Sequence, residues 1–136
     1  MHQPNLVLIL ARDLADKLAS AVFVVDATGR IVFFNERAEQ ILGESYAEVG
    51  RMRLEDWAVA WKPTDHAGAA LRPEDLPLAI AIQDRKPAHR TFGIQSRDGT
   101  ARTIAATAFP LFAHEDEFVG AAAIFWEHDE TGEGGR

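Results

Sequence analysis

Two segments in the C-terminal third carry apolar side chains on both faces, and this constrains the fold more than any other feature of the chain. Over 101–112, strand alternation puts Ile104, Ala106 and Ala108 on one side and Ala105, Thr107 and Phe109 on the other. Over 118–128, Ala121, Ala123 and Phe125 alternate with Ala122, Ile124 and Trp126. An antiparallel sheet with one wetted face alternates apolar and polar residues, so a sheet built on these strands needs a cover on each side.

The turns set the pairing. Asp98-Gly99 is a strong hairpin signal and joins a strand over 89–96 to the strand over 101–112. The next connection, 113–117, has no glycine and is expected to be looser. Upstream, Ala21–Asp26 and Ile31–Asn35 are rich in β-branched and aromatic residues, and Asp26-Ala27-Thr28-Gly29-Arg30 turns between them. Asn35 is placed to cap a helix over 36–42 that stops at Gly43 and buries Ala38, Ile41 and Leu42. Residues 44–72 are irregular, with Trp57 and Trp61 four apart on one face of a short helix. Pro77 suits the first position of a helix reaching Asp84, and Pro87 bars its continuation. Strands, then helices, then strands indicate an α+β fold: a five-stranded antiparallel sheet with helices on one face.

An amphipathic helix is expected over 5–19, capped by Asn5, with Val7, Leu10, Leu14 and Leu18 in one stripe and Leu6, Leu8 and Ile9 widening it. It covers the second sheet face of its own domain or of a partner. The 136 residues suit one core. The expected division is 1–19 as the cap and dimerisation helix, 20–128 as the domain, and 129–136 as a Gly-rich disordered tail.

A formal net charge of −7 without any basic run opposes binding to nucleic acid or to an anionic membrane. The apolar stretch over 6–11 is far shorter than a membrane span and has no cationic leader, so the expected location is the cytoplasm. With no cysteine, disulfides, thiolate metal sites and thiol nucleophiles are excluded.

In order and spacing, these pieces resemble the PAS domain family across about residues 15–128. The run from Val22 to Ala38, with its Asp-x-x-Gly turn and its Asn leading into a helix, is similar to the family's opening hairpin, and Ile41-Leu42-Gly43 continues it. Arg72-Pro73-Glu74-Asp75-Leu76-Pro77 through Ile82 resembles the approach to the family's long helix. Asp98-Gly99, Phe109-Pro110-Leu111 and Val119-Gly120-Ala121 resemble its closing strands. The resemblance implies a PAS/profilin-like fold and a sensory or protein-interaction module. In such modules helices and sheet enclose either a pocket for haem, flavin or a metabolite, or a packed core. It also implies dimer contacts through the N-terminal helix and the outer sheet face (Val7, Leu10, Leu14, Leu18, Phe109 and Phe125), and an output domain or regulator protein as partner. Glu127-His128-Asp129 departs from the family's Asp-x-Thr ending, so a continuous output helix is not carried over.

Residue chemistry narrows the ligand. Cysteinyl-flavin photochemistry is excluded for want of a cysteine. The helix over 77–84 has no histidine, and His66 and His89 lie outside it, which argues against haem. Asp65-His66 and 114–117 are the only local metal-type clusters and read as loops. Trp57, Trp61, Leu78, Ile82, Phe92, Ile104, Ile124 and Trp126 form the expected lining of an apolar pocket, or simply fill the core. The alternative is a small α+β isomerase or hydratase using one buried carboxylate; Asp26 and Asp98 are the obvious acids, but both sit at tight turns.

Overall fold

The computed structural model describes residues 7–11, 14, 20–49, 52–96, 98–114 and 116–128, apart from the side chains of Val49, Trp57 and Ala58. Leu18 and the expected tail over 129–136 lie outside the described residues.

Five strands form one antiparallel sheet: β1 (Ala21–Asp26), β2 (Ile31–Phe34), β3 (Ala88–Gln95), β4 (Ala101–Phe112) and β5 (Phe118–Glu127). Their spatial order is β2-β1-β5-β4-β3. β2 and β3 are therefore opposite edges, and the chain must cross the whole sheet between them. It does so through α1 (Glu36–Leu42), α2 (Tyr46–Val49), α3 (Leu54–Val59), a 3₁₀ turn (Pro73–Asp75) and α4 (Pro77–Asp84). This crossing covers one face of the sheet, as the α+β reading requires.

The inner face is fixed by alternation. Phe23, Val25, Ile104, Ala106, Ala108, Ala121, Ala123 and Phe125 point to the helices, where Ile41, Leu42, Trp61 and Leu78 meet them. Register brings Phe23 opposite Ala123 and Ala106 opposite Phe125, so large residues interleave with small ones. Phe23 stacks on Phe34 with ring centroids 5.5 Å apart, and Trp61 meets Phe23 edge-on at 6.3 Å.

Asn35 ties β1, β2 and α1 together. Its Oδ1 accepts the Val22 N–H at 3.0 Å and the Ala38 N–H at 3.1 Å, while its Nδ2 donates to the Ser20 carbonyl at 2.8 Å. The cap foreseen from sequence is therefore also an interstrand tie, and the side chain is buried. At the far end of α1, Gly43 takes the left-handed conformation (φ 81°) and its N–H closes on the Glu39 carbonyl. Gly120 has φ 156°, and a β-carbon there would collide with the Val25 carbonyl oxygen. β1 and β5 can approach at that point only because the side chain is missing.

Asn35→Ala leaves two buried N–H groups and a carbonyl without the partner that satisfies them. It is expected to cost about 3 kcal/mol of unfolding free energy, whereas Gln40→Ala on the exposed side of α1 costs less than about 0.5 kcal/mol. Urea unfolding of the two variants checks this.

Candidate functional site

Two apolar spaces flank the sheet. The inner one lies between the sheet and the helices; it holds about 50 Å³ and is bounded by Trp61, Leu76, Leu78, Phe92, Ile104 and Phe125 among other apolar side chains. Of the residues expected from sequence to line it, Trp61, Leu78, Phe92 and Ile104 are brought together there. Ile82 is half-buried, packs on the edge of the core and faces a different cleft. Trp57 carries no described side chain, and α3 ends at Val59, so Trp57 and Trp61 do not share a helical face. Trp61 instead follows the helix in a turn, and its carbonyl accepts the Gln95 N–H at 2.7 Å.

Two of the expected lining residues are on the wrong side. Ile124 packs in the outer cluster, and Trp126, 45% exposed, lies beyond it beside His89 at a ring distance of 6.3 Å. Conversely Phe125, expected at a dimer face, is 4% exposed and belongs to the inner core. The physical reason is the period of two: Ile124 and Trp126 cannot share a face with Phe125, and pairing of Phe125 with Ala21 and Ala106 commits it inward.

The outer face centres on Val22, Val24 and Ala122, all buried. The chain covers them itself: residues 7–11 and 14 are helical, and Leu8 and Ala11, three apart, pack on this cluster. The contacting pair is thus Leu8 and Ala11, flanking the stripe read from sequence. Val7, Leu10 and Leu14 border a groove of about 250 Å³ over Val22, Val24, Phe109 and Ile124. Leu10 and Leu14 remain 57% and 60% exposed, and Ile9 54%.

The polar candidates have local roles. Asp26 Oδ1 accepts the N–H groups of Thr28 and Arg30, holding the first hairpin turn. Asp65 Oδ1 accepts those of Ala67 and Ala69. His89 Nδ1 lies 2.7 Å from Thr107 Oγ1, on the outer face and away from the inner space. His66 is exposed, and His114 Nε2 stands 3.7 Å from Glu117 Oε1 at the second hairpin. Among the described residues no three His, Asp or Glu side chains converge on a metal-sized site. Among them too, no helix is long and apolar enough to cross a membrane.

A polar chain running from the buried Ser96 out to the surface has no counterpart in the sequence pattern. Ser96 Oγ donates to the Ile41 carbonyl at 2.7 Å and accepts from Arg102 Nε at 2.9 Å, while Arg102 Nη1 reaches Glu127 Oε2 at 3.0 Å. It connects the last turn of α1 to the end of β5. The participants are 55 and 25 positions apart in sequence, so no local pattern announces them.

Comparison with known proteins follows the same lines. The family model described as a PAS domain matches residues 10–75. The PAS domain of a protein from Colwellia psychrerythraea shares the fold with a TM-score of 0.62 and 17% identity, over 89% of this chain and 96% of that one. The LOV protein of Rhodobacter sphaeroides superposes with a TM-score of 0.72 and 10% identity, over 97% of this chain and 71% of that one. The PAS domain of nitrogen regulation protein NR(II) from Vibrio parahaemolyticus gives 0.60 and 14%, over 87% and 97%. No curated protein sequence matches the chain. Residues 10–75 thus match the PAS domain family model, and most of the chain shares the fold of PAS domains.

Two carboxylates, the half-buried Asp75 and the exposed Asp98, have lowered pKa values. The Arg72 guanidinium, through its hydrogen bond to Asp75, holds that carboxyl below its ordinary value, helped by the Arg72 backbone N–H. The Thr100 N–H and hydroxyl do the same for Asp98 in its hairpin turn. A folded-state pKa below the unfolded value means stability that is present above about pH 4 and is lost as pH falls through the folded values. Thermal midpoints should hold steady from neutral pH down to about pH 5, then decline below about pH 4, with Asp75→Asn removing part of that decline.

Proposed function

We propose that this chain is a PAS sensory and interaction module of a cytoplasmic signalling or transcription-regulatory system, working as a homodimer and passing its signal to an output domain or regulator protein. The observation that carries this reading is the outer face. Leu10 and Leu14 are more than half exposed above a groove walled by Val22, Val24, Phe109 and Ile124. A second copy of the same segment is the occupant that supplies matching apolar side chains at a two-fold axis. Burying each leucine is worth roughly 1.5–3 kcal/mol, and both copies contribute.

The inner space supports a packed core, with an apolar ligand, if any, no larger than a few heavy atoms. Its 50 Å³ is well under the roughly 300–1,000 Å³ typical of small-molecule pockets. Haem or flavin would require Trp61, Leu78 and Phe92 to move apart. The candidate acids Asp26 and Asp98 accept backbone N–H groups in their own hairpin turns, which favours the sensory reading over a carboxylate-based isomerase or hydratase.

Sedimentation velocity on the whole chain is expected to show a dimer at micromolar concentration. Leu10→Glu with Leu14→Glu should give a folded monomer with an unchanged far-UV spectrum. A wild-type chain that stays monomeric would sink the dimer. Native mass spectrometry of protein purified from cells should show no haem- or flavin-sized adduct, and such an adduct would overturn the packed-core reading.

A further inference from the structure

A larger space lies outside both faces of the sheet. A cleft of about 640 Å³ opens between the β1–β2 turn, the start of α3, the 3₁₀ turn and α4. This is within the roughly 300–1,000 Å³ range of small-ligand sites, whereas the inner space is not. One wall is apolar: Ala79 and Ile82 stand one turn apart on α4, and Leu54 closes the wall at 7% exposure. The rim is charged, with Arg53 and Glu55 on one side and Arg72, Glu74 and Asp75 on the other.

These charges are unequally committed. Asp75 is held by the Arg72 N–H at 3.0 Å and by its guanidinium at 3.3 Å. Arg53 meets Glu55 only through Nε, at 3.6 Å, and Arg72 meets Glu74 at the same 3.6 Å. Charge-assisted hydrogen bonds run at about 2.7–2.9 Å, so neither of these contacts is closed. Among the described residues the two Nη atoms of Arg53 make no hydrogen bond or ion pair, which leaves the bidentate side of the fork open to a carboxylate. Glu55 and Glu74 likewise keep acceptor capacity for a cation.

The balance of signs selects the ligand. Two guanidiniums against three carboxylates give a rim that is net negative, in a chain of net charge −7. A plain anion gains at Arg53 and loses to the rim, and a plain cation leaves the Arg53 fork unused. A molecule carrying both charges, with a short aliphatic body for the Ala79–Ile82 wall, uses all three elements. We propose that the cleft between the β1–β2 turn and α4 binds a small zwitterion, a free α-amino acid with a short aliphatic side chain. In this pose the carboxylate lies on the Arg53 fork, the ammonium between Glu55 and Glu74, and the side chain on Ile82.

The test uses the whole chain and L-valine as the probe, followed by amide NMR shifts and calorimetry. Saturable shifts are expected at Gly29, Leu54, Ile82 and Gln83, with the core positions Phe92 and Ala106 unmoved. Isovalerate and isobutylamine, which each carry one of the two charges, should bind at least about tenfold more weakly, as should L-valine to Arg53→Gln and to Glu55→Gln. Both residues are solvent-facing, so their variants should keep the wild-type thermal midpoint. Isovalerate binding as tightly as L-valine would overturn the zwitterion assignment. Shifts confined to the core, or no saturable response at millimolar L-valine, would overturn the site.

Discussion

Everything in this fold follows from a central strand that cannot tolerate water on either side. β5 sits between β1 and β4, and its run Ala121-Ala122-Ala123 presents small apolar residues alternately inward and outward, all of them buried. Both faces therefore need a lid. The crossing from β2 to β3 supplies the inner one, since linking opposite edges obliges the helices to span the sheet. The N-terminal segment supplies the outer one through Leu8 and Ala11, and this partial cover is why Leu10 and Leu14 stand exposed beside a groove. The two lids differ in quality. The inner lid closes with Trp61, Leu78 and Phe92 and leaves little space, whereas the outer one leaves five times the volume. Of the two spaces flanking the sheet, the looser lies on the side where a partner is proposed.

Small residues on β4 and β5 suggest empty volume when the strands are considered alone. Packing reverses that conclusion. Phe23, Phe34, Phe92, Phe125 and Trp61 fill the depth that Ala106, Ala108, Ala121 and Ala123 concede. Large and small alternate across the inner face so that the layer interdigitates. Size complementarity between elements distant in sequence thus decides whether a pocket exists, and a strand's own composition does not.

The sequence was informative where one residue type answers one local demand. Asn35 announces a cap, Gly43 a left-handed stop, Pro77 a helix start and Asp98-Gly99 a hairpin, and each stands where it was expected. The strand faces were readable as well: the division of Ile104, Ala106 and Ala108 from Ala105, Thr107 and Phe109 holds. What alternation could not say is which face is inner, because both are apolar. Alternation alone therefore puts Ile124 and Trp126 at the pocket and Phe125 at the interface, whereas Phe125 lies in the inner core and Ile124 in the outer cluster. Trp57 and Trp61 show another limit, since a four-residue spacing implies a shared face only if the helix lasts that long, and α3 stops at Val59. The charged cleft and the Ser96–Arg102–Glu127 chain left no trace at all. Both are assembled from segments far apart in the sequence.

The same central strand makes the two faces mechanically dependent. Ala122 bears on the N-terminal segment's cluster, while Ala121 and Ala123 bear on the helices, and all three hang on one backbone. Its ends are fixed differently. At Gly120 the backbone is pressed against Val25, with no side chain to cushion a shift. At Glu127 it is held by Arg102, which is anchored through Ser96 to the carbonyl of Ile41 in the last turn of α1. The close approach at Gly120 belongs to the β1–β5 register, which pairs Val25 with Ala121 and Asp26 with Gly120. At Glu127 the backbone is held as well, by its pairing with Ile104 and by the His128 N–H on the Thr103 carbonyl at 2.8 Å. The strand on which both covers rest is therefore fixed at both ends, and packing on one face is set by the same backbone as packing on the other.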